Sequence, residues 1–96
     1  MPSYRITMTI GALRPGIDPA AVLPAASAAA AELATVEASA VDVVAGAARV
    51  TVRFTEDDAE VAAQVGGHVA ATVARLADVP HWALTERVGG RWRVVA

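Results

Sequence analysis

From Tyr4 to Ile10 the chain alternates without a break: Tyr4, Ile6, Met8 and Ile10 are apolar, while Arg5, Thr7 and Thr9 are polar. Successive side chains leave a pleated backbone on opposite sides, so a period of two predicts a strand buried on one face only. The pattern returns at Val50, Val52 and Phe54, which alternate with Arg49, Thr51, Arg53 and Thr55. Two such strands predict a sheet with one covered face and one open face lined by arginine and threonine.

Helices must supply the cover. RPGIDP reads as a turn, with Asp18 placed to cap a helix and Pro19 suited to its first position. Val22, Ala26, Ala29, Leu33 and Val36 then mark an inner stripe at helical spacing. Pro24 is at odds with this, because proline in a helix interior costs roughly 3 kcal/mol, and it predicts a kinked first turn or a later start. Val41, Val43 and Ala45 predict a second strand ending at Gly46, joined through Ala47 and Ala48 to its partner, Arg49–Thr55. Thr55 and Asp58 resemble a capping box for a second helix, whose inward row is Val61, Val65, Val69, Val73 and Leu76. Gly66 and Gly67 fall mid-helix at about 1 kcal/mol each relative to alanine, which predicts a bend or a close backbone contact there.

The chain closes with Trp82, Leu84, Glu86 and Val88, then Gly89-Gly90, then Arg91 to Ala96. A Gly-Gly pair suits a two-residue hairpin, because both residues take positive φ without strain. That loop sets Val88 opposite Arg91, Arg87 opposite Trp92 and Glu86 opposite Arg93, predicting a cation–aromatic pair and an ion pair across the strands.

The order is therefore strand, helix, strand, strand, helix, strand, plus a final strand. It is an α+β arrangement over residues 1–96 that resembles the ferredoxin-like α/β plait, βαββαβ with a C-terminal strand added. The resemblance rests on element order and carries no motif, so it implies architecture: an antiparallel sheet with two helices on one face, in a class that often dimerises through the sheet face or an edge strand.

Composition narrows the function. With 96 residues, 55% apolar but only 4% aromatic, the core is expected to be built mainly from alanine and valine, and chains of this size often gain stability from a partner subunit. A net charge of −2 argues against general attraction to nucleic acid or to an anionic membrane. Cysteine is absent, which removes disulfides, thiolate metal sites and a cysteine nucleophile. MPSYRITMTI lacks the basic start and apolar run of a secretory signal, so a cytoplasmic location is expected.

Because acidic residues gather on the helices and turns, the open face is cationic: Arg5, Arg49, Arg53 and Arg87, with Trp92, are the candidate ligand-binding residues. Guanidinium groups suit carboxylate or phosphate. The expected role is a small, non-catalytic, homodimeric binding or regulatory domain for a small anionic ligand or a protein partner, without cofactor or metal. The competing expectation is a dimeric α+β barrel-like enzyme acting on a small organic substrate, with His81 as acid/base and Arg5 stabilising an oxyanion. Binding of RNA is disfavoured, since Arg and Thr occupy the central strands where an RNA recognition motif carries stacking aromatics. Gly66-Gly67 does not read as a phosphate loop, because it interrupts a helix instead of joining a strand to a helix start.

Overall fold

The computed structural model describes all 96 residues. Five strands, β1 (Ser3–Ile10), β2 (Thr35–Val44), β3 (Ala47–Thr55), β4 (His81–Val88) and β5 (Arg91–Val94), form one sheet in the order β2-β3-β1-β4-β5. Every neighbouring pair is antiparallel. Two helices, α1 (Val22–Ala31) and α2 (Ala59–Ala74), join β1 to β2 and β3 to β4. Neither is long and apolar enough to cross a membrane.

Tyr4, Ile6 and Met8 of β1, Val50, Val52 and Phe54 of β3 and Leu84 of β4 are fully buried against Ala26, Ala29, Val65, Val69 and Val73 of the helices. Each larger side chain removed from water contributes about 1.5–3 kcal/mol. The alanine face of α1 lets that helix lie close to its neighbours, so a core poor in aromatics still closes. Tyr4 and Phe54, facing partners across β1 and β3, stack at 5.9 Å.

The α1 region starts later than Asp18-Pro19, one of the two outcomes that Pro24 predicts, and departs from the sequence expectation at its end. Pro19–Ala21 form a separate 3₁₀ turn, capped by Asp18, whose carboxylate accepts from the Ala20 N–H. The α-helix begins at Val22, which places Pro24 in its first turn, where an N–H has no intrahelical partner to lose. The helix ends at Ala31, so two members of the expected stripe fall outside it: Leu33 is exposed in the turn, and Val36 belongs to β2. Accordingly β2 starts at Thr35, six residues before the expected strand, and its turn is Ala45-Gly46 rather than Ala47-Ala48. A bulge between Val36 and Ala38 leaves Glu37 without a partner and breaks the alternation by which the first half of the strand would have been recognised.

The second helix is closer to expectation. Asp58 alone caps it, accepting from the Val61 N–H at 2.9 Å, while Thr55 ends β3. Val65, Val69 and Val73 are buried as expected, but Val61 is exposed and Leu76 lies beyond the helix; Ala62, Gly66 and Ala70 complete the inward face. The helix runs through both glycines, and the close contact expected there is present at Gly66. A Cβ on Gly66 would lie 3.2 Å from Cζ3 of Trp82, whereas one on Gly67 would meet nothing within 4 Å. Trp82 thus packs on the helix side of the sheet, in the space the missing side chain leaves.

Candidate functional site

The face turned away from the helices is built row by row from strand register. Arg5 of β1 stands between Arg53 of β3 and Thr85 of β4; Thr7 stands between Thr51 and Ala83; Thr9 stands between Arg49 and His81. Because Tyr4, Ile6, Met8 and Ile10 are committed to the core, the residues between them have no other side to occupy. At the far edge, Gly89 and Gly90 take φ of 57° and 82°, and the tight turn sets Arg87 opposite Trp92, as the sequence predicts.

Trp92 is where these rows converge. The Arg5 Cζ lies 4.0 Å from the ring centroid, that of Arg53 5.2 Å and that of Arg87 5.9 Å. Arg5 and Trp92 sit two strands apart, about 10 Å between backbones, and Thr85, the β4 residue in the Arg5 row, is short enough to be bridged. Four of the five sequence-predicted binding residues are therefore brought together. The fifth, Arg49, lies four residues from Arg53 along β3, about 13 Å away, opposite Asp42 of β2.

The cluster carries excess positive charge. Arg5 and Arg53 are direct cross-strand neighbours, an arrangement in which like charges repel. One carboxylate offsets them: Glu37 Oε1 lies 3.4 Å from Arg53 Nε and accepts from the Ser3 hydroxyl at 2.8 Å. The Arg53 contact is an ion pair without hydrogen-bond alignment, and the buried Nε–H is left without an acceptor. Neither Arg5 nor Arg87 has a carboxylate within ion-pair distance. The indole face, negative at its centre, takes up part of this charge.

Beside the cluster lies an open cleft of about 310 Å³, between Arg5 and Arg53 on one side and Ala38, Ala40 and Asp42 of β2 on the other, with Thr51 in its floor. It exists because alanines stand next to long arginines. Ala38 and Ala40 are hidden in the sequence because the bulge at Glu37 breaks the alternation of the first half of β2, and the β-branched pair Thr35-Val36 is the signal it offers there. A second hollow, about 380 Å³, lies by the β2–β3 turn among Ile10, Leu13, Pro19, Val22 and Ala48 and contains no charged side chain.

His81 is exposed, in the Thr9 row, about 13 Å along the sheet from the Arg5 row. The structure does not bring it to Arg5, and no carboxylate lies within ion-pair distance of it. His68 lies on α2, its Nε2 3.4 Å from Glu32 at the end of α1, away from the open face. No three His, Asp or Glu side chains are grouped to hold a metal ion. The Arg–Trp cluster can thus bind and orient an anion, but it contains no nucleophile beside a base.

No family model, curated protein or solved structure matches the chain.

Proposed function

We propose that this chain is a small non-catalytic binding domain, homodimeric and cytoplasmic, whose open sheet face takes a small carboxylate- or phosphate-bearing ligand at Arg5, Arg53, Arg87 and Trp92. We read its architecture as a ferredoxin-like α/β plait extended by a fifth strand, since without β5 the sheet order is β2-β3-β1-β4. The observation that carries the functional reading is the convergence of three guanidinium groups on one indole, with only Glu37 within ion-pair distance of them. An anion seated between Arg5 and Arg53 would relieve their mutual repulsion and accept from planar donors, and Trp92 would offer a flat apolar wall to the rest of the ligand. The cleft next to Arg5 and Arg53 has room for a molecule of metabolite size. The enzymatic alternative has less support, because His81 stands apart from this cluster and without a carboxylate partner.

A thermal-shift screen of inorganic phosphate and small mono- and dicarboxylates, at ionic strength matched with chloride, tests the reading. At least one anion should raise the melting temperature in a concentration-dependent way. Arg53→Ala and Arg5→Ala should lose the response, while Arg75→Ala, at the end of α2, should keep it. A flat response to every anion, or a response surviving Arg53→Ala, overturns the proposal.

A further inference from the structure

The outer edge of β2 has a property the sheet face does not share. Ala45 and Gly46 take φ of 51° and 79° and form a two-residue turn closed by Val44 and Ala47. In such a hairpin the closing pair exchanges both backbone hydrogen bonds, and bonded and non-bonded pairs then alternate along the ladder. Val44, Asp42, Ala40 and Ala38 accordingly bond to β3, whereas the N–H and C=O groups of Val43, Val41 and Ser39 point outward, away from the sheet. The same parity, counted from the Gly89-Gly90 turn, makes Leu84 bond toward the β5 side of β4, as Val44 and Asp42 bond toward β3, and its N–H does donate to the Ala96 carbonyl at 2.8 Å.

Those three outward residues are also the ones whose side chains project on the helix side of β2, beyond the cover of α1. Val41 is 49% exposed and Val43 75%. Edge strands are commonly protected by charged side chains, proline, bulges or shortness, and in β2 the bulge lies at the Glu37 end while Asp42 is turned to the cleft on the open face. β2 has ten residues and neither lysine nor proline, and beyond its bulge Ala38 to Val44 run regularly. We propose that two copies of this chain pair antiparallel along β2 about a two-fold axis at Val41, joining their sheets into one of ten strands.

Charge and pattern select that register. About Val41, Ser39 and the partner's Val43 exchange backbone bonds, the two Val41 side chains meet, and Asp42 falls opposite the partner's Ala40. Sliding the axis to Asp42 would set two carboxylates directly against each other. The other surfaces are less suited to a second copy. β5 has only four residues, and Arg91 and Arg93 would be brought near their own copies. Two open faces laid together would oppose the arginine clusters. Pairing at β2 leaves the anion cleft accessible.

This inference identifies the surface of the proposed homodimer and is independent of the anion site. Sedimentation equilibrium over a range of protein concentrations reads the mass, and hydrogen exchange reads the amides. The expected result is a concentration-dependent doubling of the 9.8 kDa mass, with the Val41 and Val43 amides protected when dimeric and freely exchanging when dilute. Val41→Pro removes an outward N–H without touching the β2–β3 bonds, and Val43→Lys places a charge in the apolar row; both should give folded monomers by circular dichroism. If Val41→Pro fails to fold, Val43→Lys decides. A dimer that persists in the folded variants keeps the homodimer but sinks this edge as its surface. A wild-type monomer at every concentration sinks both, including the case in which the edge instead takes up an extended peptide.

Discussion

Arg5 holds its guanidinium carbon 4.0 Å from the centre of the Trp92 ring, although the two residues belong to strands separated by β4. The contact makes the indole a reporter on the charge around it. Binding of an anion at Arg5 and Arg53 should draw the guanidinium groups toward the ligand and change Trp92 emission. The titration should be absent in Trp92→Phe, whose remaining tryptophan, Trp82, lies on the opposite side of the sheet. An unchanged titration in that variant would place the anion elsewhere.

The two adjacent glycines of α2 should behave differently. Gly67 faces open space, so Gly67→Ala is expected to stabilise the fold by about 0.5–1 kcal/mol through helix propensity. Gly66→Ala would press its methyl group against the Trp82 ring at 3.2 Å, with ordinary contact to Ile6 at 3.6 Å, and overpacking against Trp82 should bring it at least about 1 kcal/mol below the Gly67 variant. Urea denaturation of the pair checks this, and equal stabilities would contradict the packing described.

Asp58 caps α2 without help from Thr55. Asp58→Ala should therefore cost about 1 kcal/mol, and Thr55→Ala should leave the onset of the helix unchanged in amide exchange at residues 59–62. Loss of protection in the Thr55 variant would restore the capping box.

Tyr4 makes stability pH-dependent in a narrow alkaline window. Burial of its ring and then the Glu86 carboxylate, which accepts from its hydroxyl at 3.1 Å, push its pKa up to about 12. The phenol is the acid and its neutral form is the one the fold favours, so its contribution is complete below pH 10, the ordinary value, and is lost as pH rises from 10 toward 12. The chain has one tyrosine, no cysteine and no lysine, so Tyr4 is the only phenol, thiol or amine among its side chains. Denaturation midpoints should fall between pH 10 and 12 for the wild type and stay flat for Tyr4→Phe.

Much of the site was legible because strand periodicity is an all-or-none constraint. Once Tyr4, Ile6 and Met8 go to the core, Arg5, Thr7 and Thr9 must face the other way, and one two-residue turn sets Trp92 beside Arg87. The end of α1 was not legible. Leu33 and Val36 continue the helical spacing, yet the chain leaves the helix after Ala31 and spends Val36 in a strand, because pairing with β3 decides where β2 begins and a bulge at Glu37 conceals it.

What the residue pattern determined alone was a half-open sheet, its cationic face and the C-terminal hairpin, each set by neighbours in the chain or by the two-residue repeat. Only the tertiary structure decided that Arg5, Arg53 and Arg87 share one indole, that alanines of β2 open a cleft beside two of them, and that the Trp82 ring fills the place a Cβ of residue 66 would take. Those outcomes depend on which strands lie side by side and how far long side chains reach across them, and such distances are set by packing between segments more than eighty residues apart in the chain.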